Sequence, residues 1–234
     1  AGIKILYTVD TLVQSNHLHD CYAGSAIWID FMNRNTRVCR NLIHDVSAFT
    51  GAIFFEASNA LNMVDHNVVY RVHGSGLYQH DCDQLVIAHN LVADCSLAGI
   101  RMLKNKDRDR VGFCRNNRVV NNVVVRCEVP LEYFDVENNS DQNVFSGIGD
   151  EFDLVSWKQA GLDVQSRILE LEITFDEDDT GMSWRGTDFG LVTIDEVLNC
   201  DYFGRRHAGR GMPLGPFTEG WSLAPRHLSF EPAG

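Results

Sequence analysis

The sequence lacks a CxxC pair, a long apolar run and an excess of basic residues. Without paired cysteines, neither a zinc site nor a redox motif is expected, and the odd count of seven leaves at least one thiol unpaired. This use of cysteine leans weakly towards a reducing compartment. No apolar run approaches the roughly 18–20 residues of a membrane-spanning helix, so we expect no membrane partner.

The charge balance is acidic. Asp and Glu outnumber Lys and Arg by 32 to 20, which gives a formal net charge of −12. Such a surface repels phosphate backbones, so we expect no nucleic-acid partner. Because the chain begins at Ala1 rather than at Met, we interpret it as an excerpt or a processed product. We expect it to pack against missing N-terminal coils or against another subunit.

Asparagine followed by paired apolar positions recurs along the first two thirds of the chain, at intervals of 21 to 32 residues. The positions are Asn16, Asn41, Asn67, Asn90, Asn122 and Asn143. Short β-branched runs at this period, without helical patterns between them, predict an all-β fold, a right-handed parallel β-helix. Stacked Asn side chains would form an amide ladder at a tight bend, which is a structural role. The longest interval contains the charged insert Lys104–Arg110, which we expect to be a loop.

The core and the C-terminal part are also predictable. Small apolar residues lie five positions after the first five asparagines, so the cysteines there are core residues rather than catalytic thiols. These residues are Cys21, Val46, Val72, Cys95 and Cys127. Where the repeat stops, we divide the chain into solenoid coils (1–150) and a helix and loop segment packed on them (151–234). Within this segment we expect a short helix in Leu154–Ser166, with Gly161 ending its first part, and a solvated loop at Asp176–Asp179.

Aligning the coils predicts two outward-facing columns, since side chains alternate along a strand. One column is Trp28, Phe54, Tyr78 and Arg101, and the other is Asp30, Glu56, His80 and Leu103. Gln79 then points inwards, which breaks the apolar pattern. The three aromatic residues are either covered by the C-terminal segment or a missing domain, or they form a sugar platform, because ring faces pack on pyranose C–H surfaces.

Asp30 and Glu56 occupy equivalent places on neighbouring coils, so their backbones should lie about 5 Å apart. A retaining glycosidase holds its two carboxyl groups roughly 5–5.5 Å apart, one as the nucleophile and the other as the acid/base. Apolar neighbours, Phe54 and Phe55, make Glu56 the better candidate for carrying the proton. Asp30 would then attack the anomeric carbon. The alternative is a pair of solvated carboxylates on the surface of the solenoid.

Four segments, AIWIDF, TRVCRNLIHD, FFEA and VDHNVV, resemble in this order the core of glycoside hydrolase family 120, the β-xylosidases. They are also similar to glycoside hydrolase family 141. The resemblance covers about Asn16–Asn90 and implies that Asp30 is the nucleophile and Glu56 the acid/base of a retaining exo-glycosidase on plant cell-wall glycans, without a cofactor. The sequence departs from the family pattern at Phe31, where the family has Trp, and at Ser58-Asn59-Ala60, which replaces His-Gly-Pro.

Further side chains complete the candidate substrate site. His80, which precedes Asp81, would hydrogen-bond a sugar hydroxyl or steady Glu56, unless it is a surface residue without a role. Arg101 either pairs with Glu132 on the next strand, which we favour, or meets an acidic sugar. The candidate substrate-binding residues are therefore Trp28, Phe54, Tyr78, His80 and Arg101. His17 and His19 share a strand face, but with no further ligand at a fitting distance we expect no metal site.

Two other functions remain open at this stage. A polysaccharide lyase on the same scaffold would need a Lys or Arg base and, often, Ca²⁺ held by acidic side chains of consecutive coils. The column that begins with Asp30 is short of such ligands. A non-catalytic solenoid would bind carbohydrate without either carboxylate, and the fold alone does not decide between these functions.

Overall fold

The computed structural model confirms an all-β parallel β-helix of about six turns, with one short helix and an irregular C-terminal part. The structure describes residues 1–105, 112–133, 137–179, 181–186, 190–193, 198–207, 211–218 and 226–230. Residues 106–110 of the predicted insert lie outside these ranges, and the division of the chain at residue 150 stays a prediction.

The strands are short except for two that run through a bend. In the solenoid they are β1 (Ile3–Ile5), β2 (Leu12–Gln14), β3 (His17–Leu18), β4 (Cys21–Tyr22), β5 (Ile27–Ile29), β6 (Arg37–Cys39), β7 (Leu42–Glu56), β8 (Asn62–Asp65), β9 (Val68–His80), β10 (Leu85–Ala88), β11 (Leu91–Cys95), β12 (Ala98–Leu103), β13 (Arg118–Val120), β14 (Val123–Val125), β15 (Val129–Tyr133), β16 (Asn139–Asp141) and β17 (Val144–Ser146). The helix α1 (Leu154–Gln159) follows, and then β18 (Arg167–Ile168), β19 (Leu171–Phe175), β20 (Gly181–Gly186), β21 (Leu191–Thr193), β22 (Gly211–Pro213) and β23 (Arg226–Ser229).

Two parallel sheets form the solenoid. The larger runs β1-β5-β7-β9-β11-β14-β17-β18, with β3 and β4 on β7, and with β12 joining β9 to β15. The smaller runs β2-β6-β8-β10-β13-β16. Each strand pairs in parallel with the strand one coil later, as successive turns of a solenoid must, because no coil can bury its own apolar face.

The predicted asparagine ladder is present. At each step the side-chain Nδ2 of one Asn donates to Oδ1 of the Asn one coil later, over 2.9–3.1 Å. The residue immediately before each Asn has a left-handed backbone, with φ between 54° and 61°. Few side chains adopt this conformation without a cost of roughly 1–2 kcal/mol. The buried amide bonds of the ladder therefore stabilise a bend that the backbone alone disfavours.

The interior follows the predicted register. Val46 pairs with Cys21 on one side and with Val72 on the other, and Val72 in turn pairs with Cys95. Gln79 points inwards as expected and is fully buried. Its amide oxygen accepts from the backbone N–H of Cys82 at 3.1 Å, and its amide nitrogen donates to Sγ of Cys114 at 2.9 Å. The polar group is therefore satisfied inside the core.

The C-terminal part differs from two predictions. The helix α1 begins after the N-cap Asp153 and ends at Gln159, close to the predicted break at Gly161, and no second part extends it to Ser166. The acidic run at Asp176–Asp179 is not simply a solvated loop, because Asp179 accepts hydrogen bonds from Tyr70 and Arg71 of the solenoid. Neither partner could be predicted from the charge of the run. The antiparallel sheet β19-β20-β23 packs nearby over a second apolar cluster.

No helix among the described residues has the length and apolar character needed to cross a membrane.

Candidate active site

The two predicted outward columns are confirmed as strand registers. Trp28 pairs with Phe54, Phe54 with Tyr78, and Tyr78 with Arg101. Glu56 pairs with His80, and His80 with Leu103. The pairing of Ile29 with Phe55 brings the next residue of that coil, Asp30, beside the position of Glu56. Register alone therefore carries both candidate carboxylates to one place on the surface of the solenoid.

Both carboxylates line one open cavity of about 670 Å³. Trp28, Phe54 and His80 line it as well. Its rim comes from the first coil and from the bend of β7, and consists of Ala1, Leu6, Tyr7, Ala23, Gly24, Ser25, Phe31, Phe49 and Thr50. A concave site with apolar walls and a few converging polar groups is the usual form of a small-molecule binding site.

Glu56 lies at the floor of the cavity and is only 6% exposed. The indole N–H of Trp28 donates to its Oε2 at 3.2 Å, and Nε2 of His80 lies 3.7 Å from its Oε1. Each carboxyl oxygen thus faces a different polar group, and the remaining surroundings include the ring of Phe54. Glu56 is thus an enclosed carboxyl group with a hydrogen-bond donor at one oxygen and an imidazole near the other.

His80 is itself held by a buried carboxylate. Its Nδ1 lies 3.1 Å from Oδ2 of Asp81, and the Asp81 side chain is completely buried. Asp81 also accepts from the ammonium of Lys104 at 3.1 Å and from the backbone N–H of Asn105 at 2.8 Å. Burial raises the pKa of Asp81, but the hydrogen bonds from His80, Asn105 and Lys104 outweigh this and leave its pKa below the usual value. The charged Asp81 fixes the orientation of the His80 ring.

Asp30 has a different environment. Nζ of Lys4 lies 3.0 Å from its Oδ2, and the backbone N–H of Phe31 donates to its Oδ1 at 2.8 Å. The same ammonium lies 3.3 Å from the centre of the Trp28 ring. Asp30 is thus an ion-paired carboxylate at the cavity wall, whereas Glu56 is a buried carboxyl group at its floor. Two carboxyl groups in unlike surroundings are the usual basis for separate acid and nucleophile roles.

The aromatic column is not an open platform of ring faces. The rings of Phe54 and Tyr78 stack with centroids 5.0 Å apart and planes 8° apart, and the Trp28 ring lies 5.5 Å from that of Phe54. Phe54 is only 2% exposed. The reason is geometric: neighbouring coils are about 4.8 Å apart, close to the stacking distance of rings, so the rings cover one another. Phe54 is therefore a packing residue rather than a free surface for a sugar.

Arg101 forms the ion pair with Glu132 that the sequence favoured. Its Nε lies 2.7 Å from Oε2 of Glu132 on the next strand. The guanidinium also lies 5.4 Å from the centre of the Tyr78 ring. Arg101 thus closes the aromatic column with an ion pair.

Sequence reasoning missed Lys4. The signal was available, because Ile3-Lys4-Ile5 pairs residue by residue with Ile27-Trp28-Ile29, one coil later. Extending the alignment one coil towards the N-terminus places Lys4 in the Trp28 column, next to Asp30.

Sequence reasoning also missed a neighbour of His17. Nε2 of His44 lies 2.7 Å from Nε2 of His17, so a further nitrogen does lie at a fitting distance. The repeated His-Asp pair after Asn16 and Asn41 carries this information, because His19 and His44 occupy the same position in successive coils. The expectation that the His17 and His19 face has no additional ligand was therefore wrong.

Comparison with known proteins decides the family. A family model described as "NosD: Periplasmic copper-binding protein (NosD)" matches residues 1–147. The chain belongs to the NosD family. The matched region includes both carboxylates of the cavity. A comparison with curated proteins finds no match.

A solved structure of XylC in complex with xylose is similar in fold to this NosD-family chain. The TM-score is 0.67 at 16% sequence identity, and the likeness covers 98% of this chain and 44% of XylC. The chain thus spans less than half the length of XylC. At this identity the likeness establishes the β-helix fold.

Proposed function

We propose that this NosD-family chain carries the catalytic centre of a retaining exo-glycoside hydrolase that acts on β-xyloside-type glycans of plant cell walls. The observation that carries the proposal is the meeting of Asp30 and Glu56, from neighbouring coils, in one cavity of about 670 Å³. The resemblance of the segments around both residues to glycoside hydrolase family 120 supports it. XylC, which is similar in fold, was solved in complex with xylose, and this supports a pentose-type substrate.

The mechanism would be a double displacement. Asp30 attacks the anomeric carbon, and the bond to the leaving oxygen breaks as Glu56 donates its proton to that oxygen. The products of this step are a glycosyl-enzyme ester and the released alcohol. Glu56, now a carboxylate, takes a proton from a water molecule as the water oxygen attacks the anomeric carbon. The bond between this carbon and Asp30 breaks, which releases the sugar and returns Asp30 as a carboxylate and Glu56 as an acid.

The neighbours of each carboxyl group fit these roles. Lys4 provides a counter-charge at Oδ2 of Asp30, and the N–H of Phe31 fixes Oδ1, so the nucleophile is oriented along the cavity wall. At Glu56, the Trp28 N–H would stabilise the carboxylate that forms once the proton has left. Phe54 packs beside Trp28 in the cavity, and Tyr78 and Arg101 continue this column beyond the cavity lining. His80 would contribute a ring nitrogen near Glu56.

Hydrolysis of a panel of aryl glycosides headed by the β-xyloside tests the proposal. Wild type is compared with Asp30→Asn and Glu56→Gln, each of which removes one acid group with little change of shape. We expect kcat/KM to fall by about 10³-fold or more, roughly 4 kcal/mol of transition-state stabilisation. Asp94→Asn and Glu172→Gln are matched controls, because both carboxylates are ion-paired away from the cavity.

The assignment of roles needs a second measurement. Glu56→Ala with an activated aryl leaving group should regain turnover when azide is added, and the product should be the β-glycosyl azide. If wild type hydrolyses no glycoside of the panel, or if both carboxamide variants keep wild-type turnover, the proposal is wrong. Cleavage of uronides that a chelator abolishes would instead support a lyase.

A further inference from the structure

One aromatic side chain at the cavity rim is fully open to solvent, unlike the covered ring of Phe54. Phe49 is 88% exposed and lines the same cavity as Asp30 and Glu56. We propose that Phe49 is a stacking platform for a sugar unit of the leaving group, so that the substrate of this site is a β-linked xylo-oligosaccharide longer than a disaccharide. The inference rests on the proposed hydrolase function and names the substrate that the cavity would take.

A bulge in β7 carries Phe49. Between the pair of Ser47 with His73 and the pair of Gly51 with Ser75, β7 has three residues where β9 has one. Extra residues bend a strand out of its ladder and re-aim a side chain, and such bulges are common beside active sites. The bulge therefore turns Phe49 out of the sheet and towards the rim of the cavity.

Both chain neighbours of Phe49 are held by adjacent coils. The hydroxyl of Thr50 lies 3.0 Å from the hydroxyl of Ser25 on the preceding coil. On the following coil, Gly74 leaves room for the carbonyl oxygen of Ala48, which a Cβ atom at that position would overlap. The backbone of the bulge is therefore fixed while the ring itself is free. A ring on a fixed base loses little conformational entropy when a ligand covers its face.

The cavity extends from the two carboxylates to Phe49 along β7. Residues 51–56 of this strand keep one register with residues 75–80 of β9, so they form an extended stretch of about 17 Å at roughly 3.3 Å per residue. This length is several times that of one pyranose ring. A single sugar at Asp30 and Glu56 would leave the Phe49 end of the cavity empty, whereas further units of a sugar chain would reach it.

The two ends of the cavity differ in bulk. Beyond Asp30 the rim holds the rings of Tyr7 and Phe31, which meet edge to face with their centroids 5.4 Å apart. Towards Phe49 the lining consists of the small residues 23–25. The ring pair borders the terminal sugar of an exo-acting enzyme, and the small residues leave a path for the rest of the chain. The leaving group therefore lies on the Phe49 side.

The chemistry of the lining fits a neutral sugar chain. Pyranose C–H groups pack on a ring face such as that of Phe49, and the hydroxyls of Ser25 and Thr50 lie beside it for the sugar hydroxyls. The described side chains that line the cavity include no Lys or Arg. The carboxylates of a uronide chain would therefore face Asp30 and Glu56 without a cationic partner in the lining.

Hydrolysis of xylotetraose and of the aryl β-xyloside by the same variants tests the platform. Relative to the aryl xyloside, Phe49→Ala should lower kcat/KM for xylotetraose by about 10-fold, chiefly through a higher KM, because the lost ring contributes binding. Phe49→Trp should keep the wild-type ratio, since it retains a ring face. Phe113→Ala is the matched control, because Phe113 is also an exposed aromatic residue but does not line the cavity.

Calorimetric binding separates this inference from the proposed function. Xylose and xylotetraose are titrated into Asp30→Asn, which leaves the oligosaccharide uncut, and into the same variant with Phe49→Ala added. We expect Asp30→Asn to bind xylotetraose at least about 10-fold more tightly than xylose, and the added Phe49→Ala to remove most of this difference.

The outcomes are distinguishable. If wild type hydrolyses no glycoside but binds xylotetraose through the Phe49 ring, the proposed hydrolysis is wrong and the platform is supported. If glycosides are hydrolysed but xylotetraose binds no more tightly than xylose, the platform is wrong and the hydrolase is supported. A loss of affinity in Phe49→Ala that is equal for both sugars, or that Phe113→Ala reproduces, also overturns the inference.

Discussion

Two columns of side chains run along the same solenoid and differ in one respect. The ladder column places the same residue type, Asn, at every coil from Asn16 to Asn143. The cavity column places Asp30, Glu56 and His80 at successive coils, and each has its own partners. When the same amide repeats, each side chain hydrogen-bonds to the identical side chain of the next coil, and these bonds stabilise the stack of coils. The cavity column has a different residue type at each coil, so its side chains cannot form one repeated hydrogen bond. This is the column that lines the cavity.

The largest effect on stability is expected inside the ladder. Asn90→Ala removes an amide that accepts from the backbone and side chain of Asn67 and donates to Val64 and Asn122. Several buried groups then lose their partners, at about 1–3 kcal/mol each, so the free energy of unfolding should fall by about 4 kcal/mol. Urea unfolding measures this loss. If the ladder column is purely structural, the folded fraction of the variant keeps the kcat of wild type.

The residue immediately before each ladder asparagine differs from coil to coil. One of them, His89, makes the stability of the fold depend on pH. Burial, followed by the nearby His66, lowers the pKa of His89 to about 3, and the ring contacts the backbone oxygen of Gly215 in the C-terminal segment. Below pH 6.5 the unfolded chain takes up a proton that the native His89 refuses, so stability is lost as the pH falls from 6.5 towards 3. Between pH 7.5 and 5 this amounts to about 2 kcal/mol.

Urea unfolding at both pH values should therefore show a smaller loss for His89→Asn than for wild type. A loss of equal size in the variant would mean that another group carries the acid sensitivity. In that case the contact of His89 with the C-terminal segment is not what makes the fold acid-labile.

A moderate effect is expected at the third coil of the cavity column. His80→Gln keeps a polar group near Glu56 but removes the ring that Asp81 orients. We expect kcat for the aryl xyloside to fall about 10-fold, roughly 1.4 kcal/mol, because proton transfer loses its positioning contact rather than its acid. Folding should be unchanged by circular dichroism. A fall in kcat that is matched by an equal fall in Tm would place His80 with the structural residues instead.

The smallest effect is expected at the first step of the ladder. Asn16 is only partly buried, and its amide can exchange the bond to Asn41 for water. Asn16→Ala should therefore lower the free energy of unfolding by less than about 1 kcal/mol. A loss as large as that of Asn90→Ala would show that the ladder acts as one cooperative unit rather than as a sum of buried bonds.

Features that recur at every coil could be predicted from the sequence, whereas contacts that occur only once could not. All six ladder positions and the paired columns could be read, because a fixed period places equal positions on neighbouring coils. A second, broken ladder escaped notice, since Asn33 is followed one coil later by Ser58 rather than by Asn. The bonds of Asp179 to Tyr70 and Arg71 span more than 100 residues and follow no period, so no pattern could predict them.

The candidate site likewise has parts that the period predicts and parts that it does not. The meeting of Asp30 with Glu56 followed from the period, whereas the burial of Phe54 did not, because it depends on how closely the rings of neighbouring coils pack. The contacts among His17, His19 and His44 were predictable only in part. The period relates His19 to His44, but the contact of His17 with His44 is diagonal and needs the side-chain directions.

The ladder also has a direction. Every side-chain amide donates towards the following coil, so the amide dipoles of six asparagines add along the solenoid axis, as peptide dipoles add along an α-helix. The positive end of this array is the amide of Asn143, and it meets the buried carboxyl group of Asp163 at 3.1 Å. The β-helix thus ends on a buried hydrogen-bond acceptor for the last amide of the array, supplied by the turn that follows the only helix of the described residues.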